Sequence, residues 1–253
     1  MKFDGKVVLV TGGGSGIGKA IAAAFSAQGA AVLINDVAPS AAAVATQLGA
    51  KFLPADLSDP AAVRALAADA LVAHGRVDIL INNAGFQHVA PVEEFPEDVW
   101  IQMIHVMLIA PFQLTRALVP AMKQAGWGRI INISSLHGLV ASPFKSAYIS
   151  AKHGMLGLTK TVALEVAAAG ITVNAICPAY VRTPLVEKQI RSQAAIHGIS
   201  EDEVIDRIML EPAAIKRLVE PEEVADLTLF LASDKARSMT GASYLMDLGW
   251  TAR

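Results

Sequence analysis

The chain has 253 residues, a formal net charge of -2 and 53% hydrophobic residues, which suits one α/β domain with a substantial core, or at most two small ones. That charge balance gives no support for a nucleic-acid partner, and no run reaches the eighteen or so apolar residues expected of a membrane span. The single cysteine, Cys177, allows no internal disulfide and reads as a buried bystander. With no signal-peptide pattern ahead of the first strand, it points to a reducing, cytoplasmic setting.

Taken in chain order, Lys6–Thr11 reads as a strand and Ile17 to about Gln28 as a helix, followed by a strand at Ala31–Asp36. Another short strand precedes Asp56. A helix at Ala61–His74 leads to a strand at Val77–Asn82, and a long helix at Glu97–Gln124 leads to a strand at Arg129–Ser134. Ala147–Ala168 is helical, Ile171–Cys177 is a strand, Glu222–Leu231 is a helix, and Ser243–Asp247 supplies a last strand. Short β-branched runs alternating with alanine- and leucine-rich helices predict an α/β fold, a doubly wound parallel sheet with helices on both faces. No linker interrupts it, so residues 1–253 form a single domain. Only 184–215 breaks the rhythm. That polar, irregularly amphipathic stretch follows the sixth strand, where chain leaves the carboxyl edge of the sheet, and reads as a substrate lid or as a helical hairpin used only for packing.

Between the first strand and its helix stands Thr11-Gly-Gly-Gly-Ser-Gly-Ile-Gly18. Such a turn lets backbone approach a pyrophosphate and aims a helix N-terminus at its charge. The glycines that matter are Gly12, Gly16 and Gly18, with Ser15 and Ile17 supplying local contacts. No Gly-Lys-Ser/Thr follows, which excludes a phosphate-loop ATPase. Asp36 ends the second strand eighteen residues beyond Gly18. A carboxylate there accepts from ribose hydroxyls and repels a 2′-phosphate, and Val37 brings no cation, so NAD is favoured over NADP. Asp56 and Leu57 are placed to touch the adenine edge, although Asp56 also suits a helix cap or a plain turn. Asn82-Asn83-Ala84-Gly85 ends a strand with compact residues that allow close approach to the cofactor.

Tyr148 and Lys152 stand four residues apart, one helical turn, with Ser135 thirteen residues ahead of the tyrosine. A phenol is a weak acid near pKa 10. A neighbouring ammonium, with the charge of an oxidised nicotinamide, would favour the tyrosinate, and a serine hydroxyl can polarise a carbonyl.

These motifs together resemble those of the short-chain dehydrogenase/reductase family over nearly the whole chain. The resemblance implies a single Rossmann-type domain, commonly a homotetramer. It makes Tyr148 the acid/base, Lys152 the residue that holds the cofactor ribose and lowers the tyrosine pKa, and Ser135 the hydrogen-bond partner of the substrate oxygen. Pro178, Val181 and Thr183 join the cofactor contacts, Thr183 toward the nicotinamide carboxamide. Two family features are altered. Met107 replaces an asparagine that helps hold a relay water, which implies another route for water or a reduced turnover. Ala179 replaces a glycine, at modest cost unless its backbone needs positive φ.

The stretches Asn83–His88, Ser135–Ser142, Lys145–Tyr148, Thr183–Gln189 and Gly249–Arg253 resemble the 3-hydroxybutyrate branch of that family. This implies that Gln87, His137, Lys145 and Gln189 surround a substrate carboxylate, with Tyr180 beside the substrate and Trp250 closing the site, in the family arrangement from a neighbouring subunit. The expected partner is a small hydroxy acid or keto acid, and the expected reaction is reversible, NAD-linked oxidation of (R)-3-hydroxybutyrate to acetoacetate. A dehydrogenase of another small hydroxy acid or alcohol, or a noncatalytic NAD-binding protein, is the alternative. His88 and His105 have no partners at metal-ligand spacing, so no metal site is expected.

Overall fold

Short runs of valine, isoleucine and leucine form the strands, because a strand covered by helices on both faces must be apolar on both. The computed structural model describes residues 2–252, the side chains of Ser192 and Ile196 excepted, so Arg253, last of the C-terminal motif, lies outside them. The strands are β1 (Val7–Thr11), β2 (Ala31–Asp36), β3 (Lys51–Pro54), β4 (Ile79–Asn82), β5 (Gly128–Ile133), β6 (Ile171–Pro178) and β7 (Ser243–Met246). They form one 7-stranded sheet in the order β3-β2-β1-β4-β5-β6-β7, each pair parallel. The order reverses between β1 and β4. In such sheets a crevice opens there, beyond the carboxyl ends of the strands.

Alternate residues of the strands β1 to β6 feed two cores. Val8 and Val10 of β1 face α1 (Gly16–Ala27), α2 (Ala41–Gln47) and, further along the sheet, α9 (Pro221–Ala232). Val7 and Leu9 face α3 (Pro60–His74), α5 (Ala110–Ala125) and α6 (Ser146–Val166). Phe25 of α1 is fully buried and meets Phe3 edge-on at 5.0 Å. Truncating it to alanine would remove about 3–5 kcal/mol.

Most strands and helices lie within a residue or two of expectation. The expected helix at Glu97–Gln124 is α4 (Glu97–Ile104), a π turn at His105–Ile109, and α5. The whole helical run Glu97–Ala125 is long and apolar enough, by length and composition, to cross a membrane, contrary to the reading that no segment qualifies. Its inner face nevertheless packs on the sheet through Leu114, Leu118 and Met122. The irregular 184–215 stretch contains α7 (Pro184–His197), α8 (Glu201–Val204) and a second π turn at Ile205–Met209. Ile190, Val204, Met209, Leu210, Ala213 and Leu218 give it a small core of its own. Its two roots are joined where Val181 pairs with Val219: Val219 N–H donates to Tyr180 O at 3.0 Å and Arg182 N–H to Val219 O at 2.8 Å.

Candidate active site

A cleft of about 800 Å³ opens at the carboxyl edge of the sheet. Its nucleotide end is built by two loops locked together. The Thr11 hydroxyl oxygen accepts from the N–H groups of Asn83 (3.0 Å) and Ala84 (3.1 Å), while its own O–H donates to Ile81 O (3.3 Å). Asn83 Nδ2 returns hydrogen bonds to Thr11 O and Gly12 O at 2.9 and 3.1 Å. At Gly12, φ is +62° and a Cβ would lie 2.9 Å from Ala84 Cα; at Gly18 it would lie 2.1 Å from Gly12 O. Only glycine allows this contact between loops. The expected Gly12, Ser15, Gly16, Ile17, Asn83, Ala84 and Gly85 line the cleft, whereas Thr11 and Gly18 brace it from behind. Asp36 also lines it, with Oδ2 accepting from Gly14 N–H and Oδ1 from Ala38 N–H, both at 2.9 Å. Asp56 and Leu57 border the same end; the Asp56 carboxylate closes a turn onto Ser58 N–H (2.8 Å) and Oγ (2.7 Å), and Asp59 caps α3 instead. The glycine cradle, a carboxylate at the end of β2 and the loop of Asn83 fit a nicotinamide dinucleotide. Pro178, Val181 and Thr183 continue the lining, and Thr183 also caps α7.

Elsewhere in the cleft, β5 and α6 place Ser135, Tyr148 and Lys152. A buried polar ladder sets their register: Asn82 Nδ2 donates to Asn132 Oδ1 (2.8 Å), and Asn132 Nδ2 donates to Thr159 Oγ1 of α6 (2.8 Å). A Cβ at Gly138 would lie 2.8 Å from Ser134 Oγ and 3.0 Å from Lys152 O, so that glycine lets the Ser135 turn sit directly on α6. Ser135 Oγ accepts from His137 N–H at 3.1 Å, leaving its own O–H to donate. Lys152 is buried and donates from Nζ to Ile133 O at 2.7 Å, with Nζ 5.5 Å from the Tyr148 ring centroid.

The electrostatics differ from the sequence expectation. Burial is the main cause that holds the Tyr148 phenol above its ordinary range; a hydrogen bond from Ser135 opposes it, and Lys152 is not among the groups that do. Burial also lowers the Lys152 ammonium to about 8. The two side chains are brought together as expected, and in the protein alone burial outweighs what favours the tyrosinate. Cys177, wholly buried, has its thiol pushed up to about 11 by burial, so it is inert at neutral pH.

Gln87, His137, Lys145, Tyr180 and Gln189 all line the same cleft. His137 Nε2 lies 2.6 Å from Ser142 Oγ, and burial, aided by the charge of Lys145, lowers the imidazole to about 4. Trp250 does not line the cleft. It packs behind Tyr180 of its own chain, ring centroids 6.1 Å apart, against the small core of the 184–215 segment. Sequence reasoning missed Asn35, Ser134 and Gln193, which line the cleft too. Gln193 lies one turn beyond Gln189 on α7, and its Oε1 is buried without a partner; the four-residue spacing was the available signal. Met107 is fully buried in the first π turn, where a Cβ at Gly85 would lie 3.0 Å from its sulfur. Ala179 is not among the residues at positive φ, which outside glycine are Phe144 and Leu248 among the described residues, so alanine costs the turn nothing there.

A family model described as enoyl-(acyl carrier protein) reductase matches residues 12–251. The chain is 48% identical to a D-beta-hydroxybutyrate dehydrogenase of Rhizobium meliloti (strain 1021), covering 98% of this chain and 99% of that one. It is 45% identical to a protein of the same name from Cupriavidus necator, over 99% and 100% of the two chains. A cyclohexanol dehydrogenase of Acinetobacter sp. (strain SE19) is 38% identical, over 100% and 97%.

Proposed function

Because the chain belongs to the short-chain dehydrogenase/reductase family of oxidoreductases, we propose that it oxidises (R)-3-hydroxybutyrate to acetoacetate reversibly, with NAD as the preferred dinucleotide. The observation that carries the substrate is the ammonium of Lys145 in the cleft, which Gln87, His137, Gln189, Ser135 and Tyr148 also line. A carboxylate leaving water needs charged and hydrogen-bonding partners of this kind; an aliphatic pocket offers none. Both hydroxybutyrate dehydrogenases named above support the same reading.

The nicotinamide, when bound, supplies the hydride acceptor and, oxidised, a positive charge beside the phenol. Tyr148 takes the proton of the C3 hydroxyl, and the O–H of Ser135, turned to the Tyr148 phenol in the protein alone, swings to donate to the same oxygen. Lys152 spends one N–H on Ile133 O and keeps two for the ribose hydroxyls. Lys145 and the amide side chains hold the carboxylate, which fixes the face of C3 that is presented. Fixed orientation of this sort lowers the barrier without any added chemistry. Asp36, at the ribose end, supports NAD because a 2′-phosphate would meet its charge.

Initial rates with each enantiomer of 3-hydroxybutyrate, using NAD and then NADP, test this. The (R) acid with NAD should be fastest; equal rates for both enantiomers, or none for either, would overturn the assignment. Cyclohexanol belongs in the same assay, since one relative carries that activity in its name, and faster turnover of the neutral ring would favour that rival. We also propose a homotetramer, supported by the exposed Phe112 on α5 and Leu164 on α6. Sedimentation at micromolar concentration should give four copies, and a stable monomer would refute it.

A further inference from the structure

We propose that the Tyr180 hydroxyl is a specificity-determining donor for the substrate carboxylate, acting as a unit with Lys145. This rests on the reading that the substrate is a small acid. Lys145 Nζ lies 3.4 Å from Tyr180 Oη and 5.7 Å from the centroid of its ring. No carboxylate of the described residues lies within ion-pair distance of that ammonium. The phenol oxygen is therefore its protein acceptor.

The geometry has a direct chemical consequence. A phenol that accepts through its oxygen still has its own O–H to donate. Tyr180 and Lys145 both line the cleft, so an incoming carboxylate meets an N–H and an O–H that are already spaced by their mutual hydrogen bond. Two charge-assisted hydrogen bonds from one side hold a planar anion in a single orientation, which a lone, freely rotating ammonium does not. The phenol is itself fixed. Its ring rests against Trp250, its backbone oxygen accepts from Val219 N–H at 3.0 Å, and it packs on the core of the lid. Holding Tyr180 in this way also holds the lysine, whose stem is otherwise long and mobile. The carboxylate end of the cleft thus depends on how the lid and the C-terminal segment seat one tyrosine.

The test measures binding of butyrate, a carboxylate with no hydroxyl to oxidise, to the enzyme–NADH complex by NADH fluorescence. The variants are Tyr180→Phe, Lys145→Met and the pair, and Tyr180→Phe keeps the ring that packs on Trp250. Tyr180→Phe should weaken butyrate about tenfold, as loss of one hydrogen bond to a charged group does, and butyramide much less. The double variant should bind butyrate no more weakly than Lys145→Met alone, because the two act together. Unchanged butyrate affinity in Tyr180→Phe, an equal loss for butyramide, or losses that multiply in the pair would overturn the proposal for Tyr180 alone. Failure of the unaltered enzyme to bind butyrate while it turns over a neutral alcohol would overturn the small-acid reading and this proposal with it. Matching melting temperatures establish that the variants are folded.

Discussion

Replacing Lys152 by methionine should make the protein more stable at pH 7 while abolishing its turnover. Burial takes the ammonium from its ordinary 10.5 to about 8, which at about 1.4 kcal/mol per pH unit is roughly 3 kcal/mol of unfavourable burial. Methionine is close in shape and carries no charge to desolvate. It also leaves Ile133 O without the donor that sits at 2.7 Å, a loss of about 1 kcal/mol. The balance is a gain of about 2 kcal/mol, or ~4 °C in melting temperature for a chain of this length. Below pH 8 the folded and unfolded chains both carry the ammonium, so the whole penalty is present. Between pH 8 and 10.5 the folded chain releases its proton first, and the penalty fades; above that both forms are neutral and it is gone. Paired thermal unfolding at pH 7, 9 and 10.5, at one protein concentration, should show the advantage of the variant shrinking as pH rises. Turnover should drop about a thousandfold, within the range for losing a group from a proton-transfer site. A variant that melts lower at pH 7, or a difference that does not change with pH, would refute the reasoning.

Further outcomes follow from the cleft. Gly18→Ala would set a methyl 2.1 Å from Gly12 O and 2.6 Å from Asn83 Nδ2; backbone cannot yield that far, so NADH affinity in a fluorescence titration should fall more than about tenfold, and near-normal affinity would refute the cradle. Asp36→Ser removes the charge facing the ribose along with acceptors for Gly14 and Ala38 N–H; the ratio of kcat/KM for NAD over NADP should fall by about two orders of magnitude, and an unchanged ratio would place specificity elsewhere. With its imidazole lowered to about 4, His137 is neutral throughout pH 6–8. His137→Asn should therefore raise KM for the acid yet leave the shape of the pH–rate profile in that window intact, and the disappearance of a limb would show that His137 titrates there.

The sheet was legible because buried parallel strands announce themselves: β6, from Ile171 to Pro178, is buried along its whole length, and its sequence is nearly all apolar or β-branched. The nearness of Tyr148 and Lys152 was legible for a similar reason, since four residues on a helix define a shared face. The π turn at His105–Ile109 was not, because a single extra residue in a turn leaves the apolar pattern on either side readable as one helix. The short helix α2, Ala41–Gln47, is mostly alanine and has little contrast between its faces. Electrostatics escaped as well. The Tyr148–Lys152 pair suggests a depressed phenol, but desolvation depends on what surrounds the ring, and it wins. Trp250 reaches Tyr180 across seventy residues of chain, a contact that no local pattern announces.

The segment running from α7 to the second π turn behaves as a parenthesis in the fold. It opens at Val181, closes at Val219, and the two brackets are stitched to each other before the chain resumes its course along α9. Most of what is written inside closes on a small core of its own, separate from the two that flank the sheet. The insert also lends Leu185, Val186, Gln189 and Gln193 to the wall of the cleft, so a rewritten passage would give the cleft a different wall.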